Sequence, residues 1–386
     1  LSLVGSEMCI RDRYKREYLI MGNLFVVFTP LQLFVSQQII RQENLKNNVV
    51  IFGWDSQFHD AFEMMCLDEL WHKKVFREDI NKWGSFKLNN FASVKKSKDD
   101  FRWLKKTCEE EHIETIYLGE VLNQMCRFVA VAFSHLKYKI AFFEEGTSHY
   151  VNRPYNMEQT WQGRIKESLL DWLFFKPVFG CDFAKWHCTP NRPYDELPMD
   201  KRYSMIPYHH QLFDERLNIE PMFSSKLKKY VESNIPSDVE ERRVMLMTDP
   251  LRELMKKDDL YLYFEIIQET ISSLDSDVVL YLKFHPREIQ TSRDKILEIA
   301  RQSGVRFKVL SEKVNICVEY YLQLFHFEKI YFFNAATFFY NGYAFPKIEF
   351  VKLMPILYKK AKAVGIGNLT YMENMLKMIE PIAVES

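Results

Sequence analysis

Short apolar runs, each stopped by a proline, an acidic pair or a small polar residue, recur along this chain with amphipathic stretches between them. The first, 23–29 (NLFVVFT), ends at Pro30; 49–54, 115–118 and 139–143 follow, and helical patterns cover 31–41, 58–70, 98–112 and 121–136. A second series starts at 244–249 and continues through 278–282, 306–310 and 329–333 to 347–353. Helices are expected there over 258–274, 291–303 and 313–326, with a last one at 371–378. Continuous apolar strands alternating with helices build parallel sheets covered on both faces. The expectation is an α/β chain of two Rossmann-like domains with a cleft between them.

At 386 residues the chain is long enough for two such units. The candidate linker is Pro236-Ser237, which divides the chain into 21–235 and 236–386. Residues 1–20 stand apart: 1–13 (LSLVGSEMCIRDR) resembles a translated sequencing adaptor, and Met21 is the expected natural start. Between 152 and 221 the alternation breaks down into an aromatic, proline-rich insertion. Within it, 161–175 has helical spacing, with Ile165, Leu169, Leu170, Trp172 and Leu173 set against Arg164, Lys166 and Glu167. Such a helix either packs on its own domain or lies in a membrane interface, so peripheral membrane contact through about 161–186 is one expectation.

Bulk properties narrow the function classes. Lys+Arg and Asp+Glu both number 52, so no global basic field points to nucleic acid. Seven cysteines at irregular spacing, with no CxxC, support neither a zinc site nor a disulfide framework. A cytoplasmic setting follows, with attachment to the inner face of the membrane as its variant. No apolar run reaches the roughly 18 residues that a spanning helix needs.

Strand ends carry the candidate chemistry. Pro286 closes the run 278–282 and sets His285 at the strand's carboxyl end, the edge where open α/β sheets bind ligands. Lys283, His285 and Arg287 alternate along an extended chain, so three potential cations share one side and suit a phosphate. The other reading is a solvated His-Pro turn, with Lys283 packed or paired with Glu288. His285 has the side chain whose charge changes near neutral pH. At 142–148, Glu144 and Glu145 end a buried strand beside Gly146; repulsion and desolvation would raise a carboxyl pKa towards that of a general base. A water-facing acidic corner is the alternative. Asp249 before Pro250 is either a base on the His285 edge or a turn aspartate. Asn334 and Thr337 open a short helix where backbone N–H groups hold an anion, or merely cap it. Asp275-Ser276-Asp277 precedes a strand and reads as a turn rather than a metal motif. No GxGxxG or GxxxxGK[ST] occurs.

Together these stretches resemble the bacterial sialyltransferases of glycosyltransferase family 52, the lipooligosaccharide type. Phe28-Thr29-Pro30-Leu31-Gln32 is similar to that family's Thr-x-Leu-Gln first-strand signature, and Glu144-Glu145-Gly146 to its acidic-acidic-Gly motif. His285-Pro286-Arg287 is similar to its His-Pro motif, and Asn334 to Thr337 to its small-residue stretch near the donor phosphate. The resemblance implies a GT-B fold, with 21–235 on the acceptor side and 236–386 holding the CMP-sugar. It implies inverting transfer from CMP-sialic acid to a galactose-type hydroxyl of a glycolipid or lipooligosaccharide, with no cofactor and no metal. His285 would stabilise the departing phosphate, with Asp249 or Glu145 as base. Thr29, Gln32, Glu144, Gly146, Lys283, Pro286, Arg287, Asn334 and Thr337 would bind substrate. Family members carry an aspartate just after the matching proline, where this chain has Leu251. Rival readings are a capsule polysialyltransferase, a CMP-Kdo transferase and a non-catalytic glycan-binding protein; a homodimer is also among the expectations.

Overall fold

The computed structural model describes residues 21–53, 58–77, 90–119, 124–144, 161–188, 196–205, 215–235, 241–249, 255–256, 259–310, 313–333, 345, 347–370, 372–373 and 376. Twelve strands among the described residues form two sheets. The first holds β1 (Gly22–Val27), β2 (Asn48–Gly53), β3 (Lys73–Arg77), β4 (Ile113–Leu118), β5 (Lys139–Phe143), β6 (Lys201–Ser204) and β7 (Glu215–Arg216). Its spatial order is β3-β2-β1-β4-β5-β6-β7. The second holds β8 (Arg242–Met247), β9 (Val278–Lys283), β10 (Arg306–Leu310), β11 (Lys329–Phe332) and β12 (Glu349–Lys352), in the order β10-β9-β8-β11-β12. Every pairing in both sheets is parallel. Each sheet starts at a central strand and reverses direction beside it, at β1/β4 and at β8/β11. Such reversal points are where doubly wound sheets open a crevice at their carboxyl ends. Two Rossmann-ordered sheets in one chain give a GT-B fold.

Connecting helices are α1 (Pro30–Gln42), α2 (His59–Met65), α3 (Phe91–Glu110), α4 (Gln124–His135), α5 (Trp161–Leu170), α6 (Ala184–Cys188) and α7 (Ser225–Asn234) in the first half. The second half has α8 (Tyr261–Ser272), α9 (Gln290–Gln302), α10 (Val318–Leu324) and α11 (Met354–Val364). Strand alternation divides their packing. Leu24, Val26, Ile51, Ile116 and Phe142 face one way, towards α3, α4 and α6. Phe25, Val27, Phe52 and Phe143 face the other and join an apolar cluster that continues into Met245, Val279, Tyr281, Ile330 and α10 of the second sheet. Val244, Leu246, Leu280 and Leu282 pack on α8, α9 and α11 behind it.

One cluster thus spans both sheets, and α1 runs through it. Phe34 meets Tyr320 edge-on at 5.2 Å, and Gln37 Nε2 donates to the Tyr320 hydroxyl at 3.4 Å. Two buried amides on α1 are satisfied across the fold: Gln37 accepts from Leu67 N, and Gln38 exchanges two bonds with the Glu220 backbone. Matching them matters, because an unmet donor costs about 1–3 kcal/mol.

Several elements depart from the expectations. β3 is an edge strand whose charged residues hid it, and α3 begins at Phe91, where Asn90 accepts a bond from Ser93 N. The insertion contributes β6 and β7 to the sheet rather than lying wholly outside it. α11 was not expected, although Pro355 in its first turn and Gly365 (φ 71°) at its end are the usual start and stop signals. Most of the helix expected over 371–378, and the linker Pro236-Ser237, lie outside the described residues. Asp275 and Asp277 sit at the amino edge of the second sheet, where Arg242 pairs with both and with Glu328. That edge is opposite the crevice, in keeping with a structural turn.

Candidate active site

The register of β8 against β9 sets Met247 beside Lys283, and Thr248 N donates to Lys283 O at 3.1 Å. Both strands then end together, so Asp249 and His285 stand on adjacent strand ends at the carboxyl edge. Pro286 starts a turn, closed by Glu288 N donating to His285 O at 2.9 Å. The extended alternation therefore stops at His285. Arg287 lies in the turn and is exposed, instead of continuing the Lys283–His285 side. Glu288 turns inward and is buried. Its carboxylate receives bonds from the hydroxyls of Thr248, Ser292 and Tyr263, while burial pushes its pKa up. Lys283 belongs to the other face of the sheet, so no Lys283–Glu288 pair forms.

These bonds fix the imidazole. His285 N donates to Thr248 Oγ1 at 3.0 Å, and the Arg293 guanidinium donates to His285 O at 3.3 Å. Arg287 N donates to Nδ1 at 3.1 Å. With Nδ1 accepting, the neutral ring carries its proton on Nε2. Burial, reinforced by Arg287, Lys283 and Arg293, pushes the His285 pKa down to about 4. The side chain expected to titrate near neutrality is therefore a neutral hydrogen-bond donor at pH 7.

Lys283 is buried, with Nζ donating to Asn315 Oδ1 at 3.1 Å. Burial pushes its ammonium down to about 8, opposed by Cys317 and Glu319. Below pH 8 the fold carries a poorly solvated cation, and that cost fades as pH rises from about 8 towards the unfolded value of 10.5. Lys283→Met is accordingly expected to stabilise the protein at pH 7 by about 2–3 kcal/mol in urea unfolding, less whatever Asn315 loses. The gain should shrink by pH 10. A less stable variant at pH 7 would mean that Asn315 and Glu319 fully compensate the charge. Lys283, Arg287 and Arg293 thus surround the imidazole with positive charge near the start of α9. Arg293 escaped the sequence reading because it lies eight residues beyond His285, inside an ordinary amphipathic helix.

The carboxyl edge of the first sheet is also polar. Thr29 caps α1, its Oγ1 accepting from Gln32 N at 3.2 Å. Gln32 is fully buried; Oε1 accepts from Phe28 N, and Nε2 meets no acceptor among the described residues. Gly119, at the end of β4, makes room for it: a Cβ there would lie 2.7 Å from Gln32 Cδ and 2.8 Å from the Phe143 ring. Gln32 therefore lies across the β1/β4 reversal point. Glu144 is completely buried and turned towards β6, where Oε2 accepts from Met205 N at 2.8 Å and from the Ser204 hydroxyl at 3.2 Å. Glu145, Gly146, Asn334 and Thr337 lie outside the described residues. Among the described residues no three His, Cys, Asp or Glu side chains group as metal ligands.

Residues 23–353 match the family profile described as alpha-2,8-polysialyltransferase (POLYST). No curated protein sequence matches the chain. Among solved structures, the chain is similar to UDP-GlcNAc 2-epimerase from Neisseria meningitidis bound to UDP-GlcNAc, with TM-score 0.46 and 12% identity over 95% of this chain and 100% of that one. It is also similar to UDP-GlcNAc 2-epimerase from Methanocaldococcus jannaschii, with TM-score 0.44 and 14% identity over 95% and 94% of the two chains. Acinetobacter baumannii MurG gives TM-score 0.39 and 8% identity over 94% of each.

Proposed function

Because the chain belongs to the alpha-2,8-polysialyltransferase family, we propose that it transfers sialic acid from CMP-sialic acid to an acceptor that itself ends in sialic acid. The observation that carries this reading is the neutral His285, fixed through Nδ1, in a nest of three cations beside Asp249. The acceptor hydroxyl gives its proton to a carboxylate, Asp249 or Glu145, as its oxygen bonds to the anomeric carbon. The bond from that carbon to the phosphate oxygen breaks on the opposite face, and CMP leaves with the electron pair. The anomeric centre inverts.

A departing phosphate monoester tolerates its second negative charge near neutral pH, its second pKa being about 6. It needs stabilisation more than protonation. Nε2–H of His285 donates to the bridging oxygen, while Lys283, Arg287 and Arg293 balance the growing charge. Preorganised donors of this kind act without reorganising as the charge develops. No metal is required for that work.

A second reading keeps the donor and changes the acceptor to a galactose-type hydroxyl of a glycolipid or lipooligosaccharide. It is supported by the likeness of Phe28–Gln32, Glu144–Gly146 and His285–Arg287 to the family 52 motifs. Purified protein incubated with CMP-sialic acid and either lactose or an α2,8-linked disialyl acceptor separates the two by product analysis. Extension of the disialyl acceptor alone is the expected result. Transfer to lactose alone establishes the second reading, and CMP release from CMP-Kdo but not CMP-sialic acid overturns both.

A further inference from the structure

The described residues leave few large apolar side chains in water, and five of them stand on one short stretch. Trp161 is 70% exposed, Ile165 and Leu169 50%, Trp172 69% and Leu173 63%. Their spacing of three and four residues places them in one stripe along α5 and the π turn that extends it, 171–175. None of the ten residues of α5 is buried. The inward side is anchored further along: Leu170 and Phe174 pack against the core that holds Phe175, Phe179 and Phe183. Asp171 Oδ1 accepts from Phe183 N and Ala184 N, both at 2.8 Å, tying the turn to the start of α6. The stripe thus stands on a packed base.

Within 161–175 the exposed charges are of one sign. Arg164 and Lys166 are exposed and form no ion pair among the described residues, whereas Glu167 and Asp171 are only partly exposed. Beyond it, the exposed Asp182 is paired with Lys176. Asp171 is engaged in the α6 bonds just described. Two tryptophans among aliphatic side chains, with free cations beside them and the carboxylates held back, match the apolar-to-anionic boundary of a lipid bilayer. We propose that α5 and its π-turn extension dock this protein on an anionic membrane surface. Trp161, Ile165, Leu169, Trp172 and Leu173 enter the headgroup–acyl boundary, and Arg164 and Lys166 face the phosphates. The docking stands independently of which sugar is transferred. No described helix is long and apolar enough to cross a membrane, so this attachment is peripheral.

Full-length protein sedimented with vesicles tests it. Vesicles of phosphatidylcholine with one quarter phosphatidylglycerol should carry the protein down, and phosphatidylcholine alone should carry much less. Added salt should weaken the binding, and tryptophan emission should shift to the blue. Trp161→Ser combined with Trp172→Ser should weaken binding by about tenfold or more for each ring lost. Circular dichroism and transfer to a soluble acceptor should be unchanged, because both rings already stand in water. Arg164→Glu with Lys166→Glu should remove the preference for anionic lipid. Equal sedimentation of wild type and double tryptophan variant would overturn the proposal. So would a wild-type dimer by light scattering that becomes a monomer in that variant with no vesicle binding, which would assign the stripe to a second copy of the chain.

Discussion

His285→Ala is expected to lower turnover by about 10²–10³, the usual cost of removing one preorganised donor. Graded substitutions report the mode of action. Glutamine can set an amide N–H near the position of Nε2, whereas asparagine reproduces only the Nδ1 side that accepts from Arg287 N. His285→Gln should therefore retain clearly more activity than His285→Asn, with both folded by circular dichroism. If His285 instead delivers a proton, neither amide can replace it and both variants will be as inactive as alanine. The pH behaviour follows from the lowered pKa. At about 4 in the fold against 6.5 for an ordinary histidine, the ring is neutral across pH 6–8. kcat/KM should then show no limb from His285 in that range. Stability should fall as pH drops from about 6.5 towards 4, where folding excludes a proton that the unfolded chain would bind. That loss should be absent from His285→Gln.

Asp249→Asn is expected to remove about 10²–10⁴ of the transfer rate, as loss of a general base does, with donor binding largely kept. Asp249 is buried on the strand end next to that of His285, and its backbone N–H donates to the Tyr263 hydroxyl at 3.4 Å. Glu145→Gln is the companion measurement. A larger loss there, with Asp249→Asn near wild-type rate, would move the base to the first sheet and leave Asp249 as a strand-end carboxylate that shapes the phosphate site. Single-turnover rates are the proper readout, because product release would mask a loss in the chemical step.

Much of this was legible in the chain. Pro286 announces the end of β9, and apolar runs of five or six residues announce most central strands. Two strands ending on Asp249 and His285 could be set on one edge once consecutive strands were taken as neighbours. What escaped has physical reasons. β6 is four residues long with Lys201 and Arg202 at its start, so nothing in its pattern signals a strand; yet its end captures Glu144. The turn after His285 depends on one backbone bond, Glu288 N to His285 O, which reverses the expected directions of Arg287 and Glu288. The protonation of His285 was unreadable because burial sets it first, and then Arg287, Lys283 and Arg293, the last reaching it from another element. Lys283 read as a phosphate-facing cation or a partner of Glu288 because alternation gives a face but not what covers it. Its cover is the segment from Asn315 to Glu319, which starts 32 residues further on.

The apolar cluster shared by the two sheets also has a consequence for how the chain is made. Gln37 and the Tyr320 hydroxyl that meets it are 283 residues apart. At roughly 5–20 residues per second, a ribosome needs about 15–60 s to cover that distance. Throughout that interval the first sheet can assemble, but the side of α1 that Tyr320 covers has no partner. Phe34 waits with it. The nascent first half therefore carries an uncovered apolar face until α10 emerges, after three of the five strands of the second sheet.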